Sequence, residues 1–183
     1  MKRFLFLTAL LGLLAASCDT NKMETASLAN FTFEYPSAYQ IDEMDDEYPE
    51  SASFSLVNKE KGYQGIYSIL YYTQEEIDEH LAHRMDEFLE SKLMDLFNYF
   101  DSRSDEFPIE DVSDPIPYEE GASVQGNGIY ISGTQADNGE PYEACVLNYF
   151  EGNALVSALM IASDKDSLEE LIAVANSIQF QEE

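Results

Sequence analysis

Residues 128–162 read GIYISGTQADNGEPYEACVLNYFEGNALVSALMIA, and this stretch decides the fold. Residues 128–135 carry the β-branched and aromatic residues of a strand, Asp137-Asn138-Gly139 is a hairpin-type turn, and residues 142–150 return. Glu151-Gly152-Asn153 turns the chain again into residues 154–162, which completes a three-strand meander. Antiparallel strands joined by such short turns leave the sheet's faces to be covered by elements from elsewhere in the chain.

Those elements flank the meander. Residues 73–100 read as one long helix, with Ile77, Leu81, Met85, Phe88, Leu89, Leu96 and Phe100 on one face at about 100° per residue. Thr73 and Glu76 have the spacing of a capping box, in which hydroxyl and carboxylate satisfy orphan backbone N–H groups. Asp166 with Glu169 starts a short helix ending near Asn176 that carries Leu168, Leu171, Ile172 and Val174, and Ile178-Gln179-Phe180 closes as a strand. Upstream, Phe31, Phe33 and Tyr35 alternate with Thr32 and Glu34 until Pro36 stops the strand, and residues 37–41 continue as a turn and a short extended piece. Residues 52–58 and 65–72 are two further strands, paired across the turn Lys59-Glu60-Lys61-Gly62. Residues 42–50 hold six acids in nine positions and read as a loop. Residues 101–120 hold eight acids and three prolines and read as an irregular connection or a weak edge strand. The expected architecture is α+β: an antiparallel sheet with one long central helix and one short C-terminal helix packed on it.

The 183 residues carry 36 Asp and Glu against nine Lys and Arg, a formal charge of -27. Aromatic residues at 13% and hydrophobic residues at 45% supply a core that a disordered acidic chain lacks. Such a charge repels phosphate backbones, which excludes a nucleic-acid binder. The charge is also uneven, since 22 of the 36 acids fall within residues 42–50 and 73–120.

The N-terminus reads as an address. Lys2 and Arg3 precede an apolar run over residues 4–14, too short for the roughly 20 residues that span a bilayer. Leu14-Ala15-Ala16-Ser17-Cys18 resembles the lipobox of bacterial lipoproteins. That resemblance implies cleavage after Ser17, acylation of Cys18 and attachment to a membrane of the cell envelope through the acyl chains. Several chains together give stable anchoring at about 0.8 kcal/mol per buried CH₂. The expected organisation is a signal peptide at 1–17, the lipidated cysteine and a polar tether at 18–30, and a single α+β domain at 31–183.

Three features resemble the PsbP/Mog1-like superfamily, which includes periplasmic lipoproteins related to DcrB. They are the opening Phe33-Glu34-Tyr35-Pro36-Ser37, the meander over 142–162, and the closing Ala175-Asn176-Ser177-Ile178-Gln179-Phe180. The resemblance implies an antiparallel sheet with packed helices and a role in binding or assembly rather than catalysis, and the expected location makes an envelope protein the candidate partner. It carries no site residue across, and the acidic segments at 73–120 match nothing in that pattern.

The chemistry-bearing residues are few. His80 and His83, the only histidines, share a helical face with Glu76 and Glu87 at i, i+4, i+7 and i+11, and imidazole with carboxylate at that spacing suits Zn²⁺ or another divalent cation. The plain alternative is a solvated helix face. Asp42-Glu43-Met44-Asp45-Asp46-Glu47 offers oxygen ligands for Ca²⁺ but lacks the glycine and spacing of an EF-hand loop. Cys145 sits inside an apolar strand and reads as core. Gly126-Asn127-Gly128 is too short to cradle a phosphate and reads as a turn. No nucleophile elbow, Walker loop, dinucleotide fingerprint or HExxH pattern occurs, and no cofactor is implied. The tyrosines and phenylalanines read as sheet packing, with a carbohydrate or peptide groove as the alternative. The expected function is therefore a membrane-anchored, non-catalytic binding or assembly module, the alternative being an acidic Ca²⁺- or Zn²⁺-binding envelope protein.

Overall fold

A computed structural model describes residues 22–48, 50–118 and 126–181. The chain forms β1 (Met23–Leu28), β2 (Phe31–Pro36), β3 (Gln40–Tyr48), β4 (Ser51–Asn58), β5 (Tyr63–Tyr71), α1 (Gln74–Glu76), a π-helical turn (Ile77–Leu81) and α2 (Met85–Asp101). It continues through β6 (Ile109–Val112), β7 (Ile116–Tyr118), β8 (Gly126–Thr134), β9 (Pro141–Glu151), β10 (Ala154–Ala162), α3 (Lys165–Asn176) and β11 (Gln179–Phe180).

The meander β8-β9-β10 stands at the centre of an eight-stranded sheet in the order β3-β4-β5-β10-β9-β8-β6, with β7 also paired to β8. A second sheet, β1-β2-β11, lies over one face together with α3. Every strand pair described is antiparallel, which makes the molecule α+β. Gly152, at φ +57°, closes the β9–β10 turn in the left-handed region that glycine enters without a steric penalty.

The period-2 alternation of β9 and β10 explains why the sheet needs two covers. Cys145, Leu147 and Tyr149 with Val156, Ala158 and Met160 enter the core beneath the small sheet and α3. Ala144 and Val146 with Leu159 and Ile161 enter the core beneath α2, alongside Leu93 and Phe100. Both faces are dry, so both strands read as nearly continuous apolar runs. On the first face, Phe33 of β2 stacks on Phe54 of β4 at 3.8 Å between ring centroids, and Phe54 stacks on Tyr67 of β5 at 4.6 Å. Sheet side chains then reach helix carbonyls: Tyr67 Oη donates to Leu171 O at 2.9 Å, and Tyr149 Oη donates to Ala175 O.

Several expectations are corrected. The long helix at 73–100 is broken. A straight helix of that length would run about 42 Å without interruption. Instead Ala82 N–H donates to Ile77 O across five residues, Arg84 leaves helical geometry at φ -140°, and α2 starts afresh at Met85. The break folds Leu81 and Met85 back against Phe88, Tyr72 and Phe150.

The acidic loop at 42–50 is instead largely β3, the edge of the large sheet. An edge strand keeps its side chains solvated, and Asp42, Glu43 and Asp45 are exposed, so the charges do not oppose pairing with β4. The polar stretch read as tether supplies β1, with Met23 opposite Pro36 and Leu28 opposite Phe31. Gly126-Asn127-Gly128 is no turn but the start of β8, paired with β9. The α3 cap is Asp164, whose carboxylate accepts from Ser167 N–H at 2.8 Å, rather than Asp166 with Glu169. The signal peptide and Cys18 lie outside the described residues.

Candidate functional site

The end of β5, its connection to α2 and the first turn of α2 line three open clefts. The first, of about 430 Å³, lies between Glu50 and Ser51 at the head of β4 and Leu70, Tyr71, Tyr72, Thr73 and Glu76. The second, of about 650 Å³, is lined by Tyr71, Gln74, Glu151, Gly152, Asn153, Gln179 and Phe180. They share Tyr71. The third, of about 550 Å³, opens at the helix break beside Ile77, Ala82, His83, Arg84, Met85, Asp86 and Glu87.

Local chemistry holds this end of the molecule together. Tyr72 N–H donates to Asn153 O at 2.9 Å, which ties the end of β5 to the β9–β10 turn. Gln181 N–H donates to Asn30 O at 2.8 Å and seats β11 beside β2. Phe180 is thereby stacked on Tyr71 with ring centroids 4.8 Å apart and planes 19° apart. Tyr72 packs against Phe88 and Phe150 at 6.0 and 5.9 Å. Both tyrosines and Phe180 are half-buried, so each presents part of a ring to solvent.

The expected capping box is present. Glu76 accepts from Thr73 N–H and Thr73 Oγ1, each at 2.8 Å, while Glu76 N–H donates to Thr73 Oγ1 at 3.2 Å. Those bonds, the backbone one first, hold the Glu76 carboxyl below its usual range. Burial pushes the Tyr72 phenol up, with the Glu76 charge adding to it. The shared Tyr71 wall therefore has carboxylates on both sides, Glu50 and Glu76 in one cleft and Glu151 in the other, where Gln74, Asn153 and Gln179 also line the cleft. No Lys or Arg lines either cleft.

The four residues read as a metal stripe are not held on one helical face. Glu76 ends α1 and is engaged by Thr73, His80 lies in the π-helical turn, His83 lies in the break, and Glu87 sits in the first turn of α2. Glu87 Oε2 accepts from Arg84 Nε at 2.8 Å. All four are exposed, and among the described residues no three His, Cys, Asp or Glu side chains gather as a metal site. Asp42, Glu43 and Asp45 likewise lie along a strand rather than around a point. Cys145 is buried at 1% exposure, and burial pushes its thiol up to about 12, which keeps it protonated and inert.

Sequence reasoning missed Tyr71, Glu151, Asn153, Gln179 and Phe180 as a group. Tyr71 and Phe180 lie far apart in the sequence, and the pairing of β5 with β10 and of β11 with β2 brings them together. The one local signal was the doublet Tyr71-Tyr72 running into the capping Thr73.

Among solved structures, the chain is similar to a protein of Bacteroides thetaiotaomicron VPI-5482, with 14% identity and a TM-score of 0.47 over 90% of this chain and 50% of that one. The chain thus spans half the length of that protein. It is also similar to the Saccharomyces cerevisiae Ran-binding protein Mog1p, with 8% identity and a TM-score of 0.49 over 87% of this chain and 96% of that one. Neither likeness bears on what this chain binds. The sequence matches no protein-family model and no curated protein.

Proposed function

We propose that the protein is a lipid-anchored module of the bacterial cell envelope, of the PsbP/Mog1-like kind, that binds cationic side chains of a partner protein in the paired clefts at Tyr71. The anchor rests on Lys2, Arg3, the apolar run at 4–14 and the Leu14–Cys18 pattern. The binding role rests on one observation: two clefts share an aromatic wall, and their charged lining is carboxylate alone. A lysine or arginine laid over the Tyr71 and Phe180 rings gains a cation–π contact while Glu151 or Glu50 accepts its hydrogen bonds. The flanking amides add neutral hydrogen-bonding capacity without competing charge.

Two measurements test the reading. Metabolic labelling with radioactive palmitate tests the anchor: label lost in Cys18→Ala supports it, and label unchanged by that substitution refutes it. Fluorescence anisotropy with short Lys/Arg-containing peptides tests the clefts. Binding should weaken about 5- to 30-fold in Tyr71→Ala, as for an aromatic anchor worth roughly 1–2 kcal/mol. Equal binding by wild type and Tyr71→Ala refutes the assignment of the clefts.

A further inference from the structure

The main chain at Phe180 has an open edge. β11 is the outer strand of β1-β2-β11, and among the described residues only β2 pairs with it. In an antiparallel pair, residues that exchange hydrogen bonds with the neighbouring strand alternate with residues whose N–H and C=O point the other way. Gln181 N–H donates to Asn30 O at 2.8 Å, so the odd-numbered residues of this ladder face β2. Ser177 closes the ladder at the helix end, where its Oγ accepts from Glu34 N–H at 2.8 Å and donates to Glu34 O at 3.0 Å. The even-numbered residues face outward. Ile178 N–H does so and donates to Ala175 O at 3.1 Å, at the end of α3. Phe180, opposite Phe31, therefore turns its N–H and C=O away from β2, beyond the end of that helix.

The larger cleft borders this edge. Gln179 and Phe180 line it, together with Tyr71, Glu151 and the Gly152-Asn153 turn. β11 also carries no charge and no proline, the usual guards of an open edge, whereas β3 at the edge of the large sheet exposes Asp42, Glu43 and Asp45. A strand laid against β11 lies about 4.8 Å from it. The residue of that strand that exchanges both bonds with Phe180 has its side chain on the same face as the Phe180 ring. That ring is stacked on Tyr71, so the side chain opposite Phe180 arrives at the aromatic wall of the cleft.

We propose that the partner protein enters the larger cleft as an extended segment that adds to the outer edge of β11, with a lysine or arginine opposite Phe180. The proposal rests on the reading of the Tyr71 clefts as a site for cationic side chains. Main-chain bonds to Phe180 fix the position of the segment, and the cleft selects the side chain that faces it. A cation there lies over the aromatic wall and donates to Glu151, with no Lys or Arg in the cleft to oppose it. The residues before and after it turn to the opposite face. The segment is thus recognised by one basic residue in an extended stretch and not by a basic cluster.

The test uses the full chain in detergent micelles and a short peptide with lysine at its centre and valine on either side. Two analogues carry a methyl group on one main-chain nitrogen, that of the lysine or that of the valine after it. Methylation at the lysine should weaken binding about fivefold or more, because that N–H is the one donated to Phe180 O. Methylation at the valine, whose N–H points away from β11, should change binding by less than about twofold. Saturation with the unmethylated peptide should slow deuterium exchange of the Phe180 amide about tenfold or more, read by NMR. If binding depends on Tyr71 but the methylated peptides bind alike, or the Phe180 amide exchanges as before, strand addition is refuted and the clefts stand. If no peptide binds, or Tyr71→Ala binds as wild type does, the reading of the clefts fails and takes this one with it.

Discussion

Asn148 Nδ2 donates to the main-chain carbonyl of Leu89 at 3.0 Å, and Asn148 is wholly buried. A polar side chain of β9 thus meets the backbone of α2 inside an otherwise apolar layer. Its Oδ1 has no hydrogen-bond partner among the described residues. Asn148→Asp would place a carboxylate against the Leu89 carbonyl in that layer. It should destabilise the domain by about 3 kcal/mol or more, because the carboxylate is either buried charged or held neutral at the expense of its pKa. Asn148→Ala should cost about 1–2 kcal/mol. Urea denaturation midpoints for the two variants check the order.

The column Phe33–Phe54–Tyr67 joins the small sheet to the large one, and Phe54 at its middle is 2% exposed. Phe54→Ala should lose about 3–5 kcal/mol, since rings on both sides prevent the site from collapsing. Tyr67→Phe keeps the stack and removes only the bond to Leu171 O, a loss of about 1–2 kcal/mol. Equal losses in the two variants would contradict the stack as the main contribution.

Asp164 caps α3, and bonds from Ser167, then from Tyr63, hold its carboxyl below the usual 3.8. A depressed folded-state pKa means that the ionised group stabilises the fold above its unfolded pKa, and that this contribution disappears as pH falls through the folded value. Asp164→Ala should therefore cost about 1 kcal/mol at neutral pH and progressively less below pH 3.8. Thermal unfolding of both proteins across that range gives converging curves if the sign is right.

Burial alone raises the Cys145 thiol to about 12. The neutral thiol is the form the fold prefers, so Cys145 should resist a disulfide-exchange reagent at pH 8 in the folded Cys18→Ala protein. It should react at once in denaturant. A native-state rate near that of a free thiol would show that the strand opens.

The legible part of the fold was the part governed by apolar periodicity. The β8-β9-β10 meander, the β4–β5 hairpin and the Thr73–Glu76 box stand where local pattern put them. Charge misled the reading elsewhere. Asp42, Glu43 and Asp45 look like a loop because six acids in nine residues hide the alternation, yet an edge strand tolerates them with its side chains in water. The helix break was invisible because Ile77, Leu81 and Met85 keep helical spacing in sequence. What interrupts them is a backbone feature, the Ala82 N–H bond to Ile77 O and the non-helical Arg84, which apolar spacing does not encode. The candidate site was the least legible. Its aromatic wall pairs Tyr71 with Phe180, and no local signal links residues so far apart.

The interruption at Arg84 also divides the chain's resistance to opening. Neither α1 nor the π-helical turn contains a buried residue, whereas α2 buries Leu89, Leu93 and Phe100. Amides of residues 74–83 can therefore exchange with solvent deuterium through local fraying, while those of α2 wait for a far rarer, larger opening. A wall of the Tyr71 cleft is built on the faster-exchanging piece. That side can be reshaped by whatever enters while the sheet on the other side stays rigid.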